Sequence, residues 1–198
     1  MITDHHILET AMHRFKTYGV SAVSMDDLAE VLGIAKSTLY QHFPSKDALV
    51  DAVMHYLMKQ WDALIDNVIS EPLNPIQKII KLQYQGIQEI QQLSPVFLFD
   101  LKKRYEDCFV QYKDYKNHFV YEVIYQLLED AKTQGMLLEY TDIQAVCELH
   151  FFQIEHIVQE RKNEAEPISA IKLLEHLVLP NLRGIVKPEF AGEVCSPQ

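Results

Sequence analysis

Only 6 glycines occur among 198 residues, and no segment alternates apolar and polar side chains between turn signals. Sheet structure has little support, and an all-α fold is expected. The 3 cysteines, Cys108, Cys147 and Cys195, are far apart and form no Cys-x-x-Cys pair. That argues against a disulfide framework or a zinc ribbon and fits a reducing cytoplasm. No apolar run approaches membrane-spanning length, and Met1 to His6 lacks the basic start and apolar core of a secretory leader, so a cytoplasmic protein with no membrane partner is expected. Glu-x-x-His pairs and His-Glu-x-x-His are missing too. The ligand sets of a carboxylate-bridged di-iron bundle and of a zinc protease are therefore absent, and no catalytic residue, metal or cofactor is expected.

A basic excess is also lacking. The net charge is -10, which argues against a protein that binds nucleic acid in bulk. The distribution is uneven, however: between Val31 and Lys46 there are two lysines and no acid. The charge pattern predicts a specific DNA site met by a small basic face, with weak non-specific binding and a modest salt dependence.

That acid-poor interval lies inside the most informative stretch, residues 24 to 46. Ser24 is placed to cap a helix, with Asp27 three residues on and Asp26 beside it, where the helix dipole favours negative charge. This helix ends near Leu32. Gly33 supplies the left-handed corner, and a second helix runs from Ala35 to His42 before Pro44. Ala29, one turn before Gly33, lets the helices approach, while Leu28, Leu32, Ile34 and Leu39 are spaced for burial. The pair reads as a helix-turn-helix. Its second helix offers Lys36, Ser37, Thr38, Tyr40, Gln41 and His42, a face of hydrogen-bonding groups without a carboxylate on it. Such a face suits a phosphate backbone and base edges in a major groove.

Gly33-Ile34-Ala35-Lys36-Ser37-Thr38-Leu39-Tyr40, followed by His42-Phe43 and Ser45-Lys46-Asp47-Ala48-Leu49, resembles the DNA-binding domain of the TetR (tetracycline-repressor-like) family of bacterial transcriptional regulators. The resemblance implies a three-helix helix-turn-helix domain over 1–46 and a larger helical ligand-sensing and dimerisation domain over 47–198, about nine helices in all. It adds Ser24, Met25 and Lys46 to the expected DNA contacts, with Tyr40 and Lys46 on phosphates and Gln41 on a base edge. Ala35 departs from the pattern, standing where the family often has a serine or threonine cap.

Helical periodicity extends through the rest of the chain. Residues 4–18 carry Ile7, Leu8, Ala11, Met12, Phe15 and Tyr18 on one stripe, and helices are expected over 45–69, 75–93, 96–99, 106–134, 142–162 and, starting at Pro167, to about 186. The tail after Lys187 is expected to be mobile. A lone helix-turn-helix reads few base pairs, so a homodimer on a palindromic operator is expected. Leu149, Phe152, His156, Leu173 and Leu177, on the last two helices, are the expected dimer contacts. The resemblance implies a small-molecule effector among the middle helices. Phe97, Leu101, Tyr105, Phe109, Tyr112, Phe119, Cys147, His150, Phe151 and Ile154 are the candidate lining, which suits a flat or hydrophobic organic ligand that would release the repressor from DNA. An all-helical enzyme or a ligand-independent helical adaptor are the alternatives. The first lacks its motifs, and the second leaves the acid-free face unexplained.

Overall fold

The computed structural model describes residues 2–161 and 168–195. Helices follow in the order α1 Asp4–Tyr18, α2 Met25–Leu32, α3 Lys36–His42, α4 Lys46–Ser70, α5 Pro75–Gln92, α6 Pro95–Arg104 and α7 Glu106–His118. A π-helical turn, Phe119–Ile124, leads into α8 Tyr125–Thr133, and α9 Ile143–Arg161 follows. The last helical stretch is α10 Ala170–Leu173, a second π-helical turn Leu174–Val178 and α11 Leu179–Arg183, with a closing 3-10 helix Pro188–Glu193. No strand occurs among the described residues, only an isolated bridge between Leu137 and Val186. The all-α expectation holds. The helix expected to be unbroken over 106–134 contains a π turn, and the last helix, expected to kink at Pro180, has its π turn just upstream at Leu174–Val178. Pro167, the expected start of the second, lies outside the described residues, and α10 is capped by Ser169, whose hydroxyl accepts from Lys172 N.

The chain divides into two compact units, Met1–Leu64 with Gln92–Tyr115 and Ile65–Gln91 with Lys116–Gln198. In the first, Ile7, Ala11 and Phe15 of α1, Leu28 and Ala29 of α2 and Leu39 of α3 share one hydrophobic cluster. The same cluster takes in Leu49, Val53, Met54 and Leu57 of α4, then Leu93, Phe97, Leu101, Cys108 and Tyr112. The 46/47 division therefore marks the start of α4 and not the edge of this core. Each of these large side chains contributes roughly 1.5–3 kcal/mol through burial.

Two corners set the geometry of this unit. At Gly33, φ is 65°, and Ile34 N donates to Ala29 O at 3.0 Å, closing α2 in a Schellman-type turn. At Gly19, φ is 84°, and α1 meets the start of α6, where Ser94 N donates to Lys16 O at 3.0 Å. Buried Asp100 accepts from both Ser21 N and Ser21 Oγ at 2.7 Å, which satisfies the carboxylate away from water.

In the second unit Ile76, Ile80, Leu82 and Ile87 of α5 are fully buried, and Ile124, Leu128, Cys147, Leu174, Val178 and Leu182 are buried with them. The described part of the tail is not loose, contrary to expectation. Val194 is 1% exposed, its carbonyl accepts from Arg183 Nη2 at 3.0 Å, and Glu193 Oε2 accepts from Asn74 Nδ2 and Gln77 Nε2 at 3.0 and 2.7 Å. An apolar anchor and paired polar groups hold it in place, a pairing that composition alone does not reveal.

The two glycine corners differ in a measurable way. A Cβ at Gly33 would meet nothing within 4 Å, so Gly33→Ala costs only the left-handed backbone, about 1–2 kcal/mol. A Cβ at Gly19 would lie 2.5 Å from Val96 Cγ1 and 2.9 Å from Asp100 Oδ2. Gly19→Ala is expected to lose a further ~1–3 kcal/mol by overpacking. Urea unfolding of the two variants checks this, and equal losses would contradict it.

Candidate nucleic-acid interface

The local sequence builds α3 from three sides. Ser24 Oγ accepts from Asp27 N at 3.1 Å while the Asp27 carboxylate accepts from Ser24 N at 2.8 Å, a reciprocal capping box that fixes the start of α2. Those hydrogen bonds from Ser24 hold the Asp27 carboxyl below its usual pKa. Gly33 turns the chain, and Ala35 opens α3 without a side-chain cap. Leu39, 0% exposed, pins the helix to the core, and Ser45 then starts α4 by accepting from Ala48 N at 3.0 Å.

With Leu39 inward, Lys36, Ser37, Tyr40 and Gln41 are exposed and Thr38 and His42 are half-buried. Lys36 Nζ lies 5.9 Å from the Tyr40 ring centroid, a cation-π contact along the face. Two of the expected contact residues have roles within the fold, Met25 in its interior and Ser24 at its surface. Met25 is buried in the core, because the first residue of α2 faces α1, and the Ser24 hydroxyl serves the cap. Lys46 is half-buried, and burial pulls its pKa below the ordinary lysine value against the opposing charge of Asp100.

Two carboxylates from other helices reach Lys36 and His42 of this face, which sequence reading missed. Asp26 Oδ1 of α2 lies 2.6 Å from Lys36 Nζ, and Asp4 Oδ1 of α1 lies 2.5 Å from His42 Nδ1. The face is acid-free along α3 itself, yet Lys36 and His42 have partners within the protein. Asp26 was visible in the sequence as a first-turn acid, but its reach across the corner is a tertiary fact.

The ten expected ligand-lining residues do not form one set. Phe97, Leu101 and Tyr112 are core of the first unit, with Tyr105 and Phe109 packed against it. Tyr112 faces Trp61 with ring centroids 6.2 Å apart, so these aromatics serve packing, a correction to the expected pocket. In the second unit Cys147, His150 and Phe151 line a small cavity of about 20 Å³, together with Ile79, Gln83, Ile124, Leu128, Asn181 and Leu182. Phe119 meets Phe151 edge-on at 6.2 Å, and Ile154 is buried, but neither lines the cavity. Asn181 Nδ2 donates to His150 Nδ1 at 3.2 Å, and burial depresses the His150 pKa to about 4 and raises that of Cys147 to about 11. Gln83 and Asn181 carried no signal in the sequence beyond being polar on amphipathic helices.

On α9, Leu149 and Phe152 are 65% and 70% exposed, with Phe152 stacked on His156 at 6.1 Å. Leu173 is 1% exposed and belongs to the interior, against the expectation of a dimer contact; Ile171 is exposed in its place and Leu177 is half-buried.

A short helix presented outward across a glycine corner, on a three-helix core, is the architecture of a helix-turn-helix DNA-binding domain. Residues 7–53 match the family model for bacterial regulatory proteins of the tetR family. It is 29% identical over 97 residues to the HTH-type transcriptional regulator RutR of Escherichia coli (strain K12), covering 48% of this chain and 46% of that protein. To EthR of Mycolicibacterium smegmatis it is 38% identical over 74 residues, 37% of this chain and 34% of that one. The chain thus spans about half the length, or less, of these curated relatives. A solved transcriptional regulator from Cytophaga hutchinsonii shares the fold, with a TM-score of 0.74 at 16% identity, covering 92% of this chain and 98% of that one.

Two measurements follow. Asp26→Asn frees Lys36 for phosphate and is expected to raise affinity for random-sequence duplex about 3- to 10-fold at 0.1 M salt and to steepen the salt slope. Filter binding over a salt series reads both, and an unchanged slope would count against the role of Asp26. His150 stays neutral in the folded state until about pH 4, whereas the unfolded residue protonates near 6.5. Stability from this site is therefore full above pH 6.5 and is lost as pH falls toward 4, by at most about 3 kcal/mol. The urea midpoint should fall further between pH 7.5 and 4.5 in the wild type than in His150→Leu.

Proposed function

We propose that this chain is a cytoplasmic transcriptional repressor that binds a palindromic DNA operator as a homodimer and is released by a small hydrophobic or aromatic molecule. The observation that carries the reading is the face of α3, exposed at Lys36, Ser37, Tyr40 and Gln41 and fixed by the complete burial of Leu39, within the family-matched domain. Lys36, Tyr40 and Lys46 act on phosphates, Gln41 on a base edge, with Ser37, Thr38 and His42 beside them. One such helix reads too few base pairs to single out a genomic site, so two copies are needed. Leu149, Phe152, His156, Ile171 and the half-buried Leu177 supply apolar surface for pairing, since exposed aromatics of this size mark association sites. An effector lowers operator affinity when it binds better to the conformation that misfits DNA.

Selecting bound fragments from genomic DNA tests the reading: enrichment of a twofold-symmetric sequence supports it, and no enrichment over random duplex refutes it. On the selected site, Tyr40→Ala should weaken binding at every sequence by a similar factor. Gln41→Ala should alter preference at particular base pairs by about 1–3 kcal/mol. Uniform loss in both variants would remove the division of roles.

A further inference from the structure

The cavity of the second unit combines an apolar wall with two hydrogen-bond donors. Gln83, buried on α5, lines it with an Nε2 that has no acceptor in the protein. His150 lines it from α9, and because its Nδ1 accepts from Asn181 Nδ2 at 3.2 Å, the ring proton of the neutral imidazole sits on Nε2. Resting on the reading of this unit as the effector-binding part, we propose that the effector is a neutral organic molecule with a carbonyl-type acceptor, a ketone, ester or amide oxygen. Gln83 Nε2 and His150 Nε2 donate to that oxygen while an apolar body lies against Ile79, Ile124 and Leu182.

The lining explains the choice of class. It contains no lysine, arginine, aspartate or glutamate. A carboxylate or an ammonium ligand would each be buried there without a counter-charge. Burial keeps His150 neutral, with its pKa near 4, and keeps the Cys147 thiol protonated, with its pKa near 11, so neither supplies the missing charge at neutral pH. A pure hydrocarbon would leave both donors unpaired, which costs about tenfold or more in affinity for each. At about 20 Å³ the cavity is the size of one water, so a ring-sized ligand displaces a side chain. Half-buried Phe151, edge-on to Phe119, is placed to move.

The test uses the full chain and three probes of matched shape, acetophenone, benzoate and ethylbenzene, followed by titration calorimetry. Acetophenone is expected to bind at least about tenfold tighter than either of the others. Gln83→Leu should bring acetophenone down to the level of ethylbenzene. Bound carbonyl-labelled acetophenone should show its C=O stretch shifted below the value in hexane, a reading that needs no variant to fold. Benzoate binding tightest, ethylbenzene matching acetophenone, an unshifted carbonyl, or no binding by any probe would overturn the inference. Operator release measured on the same samples separates the two readings. Preference for acetophenone without release supports the cavity chemistry and counts against the regulator. Release by ethylbenzene and acetophenone at equal affinity retains the regulator and overturns the carbonyl preference.

Discussion

The burial of Leu39 is the constraint on which the exposed face of α3 depends. α3 has seven residues and no side-chain cap, and a peptide of that length is not helical in water on its own. Leu39 is its one buried residue, and it shares a cluster with Phe15, Leu28 and Leu49. Gly33 on one side and the Ser45 cap on the other fix where the helix starts and stops, but a turn and a cap do not choose which side faces outward. The single inward leucine does. Every exposed position on α3 is exposed because of where Leu39 goes.

The charges on that face are held in reserve. Lys36 and His42 pair with Asp26 and Asp4, and the Asp26 and Asp4 side chains are largely exposed. Exposed pairs of this kind contribute little to stability, so a phosphate can replace the carboxylate at small cost, and only where the rest of the face fits. In a chain with a net charge of -10, such pairing also lowers the attraction to arbitrary duplex.

Local devices were legible in the sequence; long-range ones were not. The Ser24 box, the Gly33 corner and the Ile7, Ala11 and Phe15 stripe of α1 depend on residues within four positions of each other, and each stands where spacing placed it, while Tyr18 on the same stripe is exposed. The reach of Asp26 and Asp4 to α3, and the splitting of the aromatics between two cores, depend on packing between distant segments. The last helical stretch shows a third kind of failure. One stripe traced back from Leu182 at 3.6 residues per turn passes through Val178 and near Leu174 to Ile171. The π turn at Leu174–Val178 has a wider repeat and rotates the upstream segment, so Ala170 and Leu173 go inward and Ile171 goes out. Pro180, two residues past that turn and the expected site of a kink in this helix, lacks the N–H that a regular ladder would require, which gives the irregularity a cause in the sequence.

The face and the cavity differ in how their polar groups are satisfied, and the difference follows from water. On α3 the Lys36 and His42 side chains are in reach of solvent and of neighbouring carboxylates, so they need no further partner. In the second unit Gln83 and His150 sit among Ile79, Ile124 and Leu182, where an unpaired amide donor costs about 1–3 kcal/mol and a leucine of similar volume would pack without that loss. A core selected for stability alone would carry the leucine. Retaining the amide on the wall of a cavity therefore marks a position where stability is given up for a partner from outside the chain, and the neutral imidazole beside it narrows that partner to one that accepts hydrogen bonds without bringing a charge.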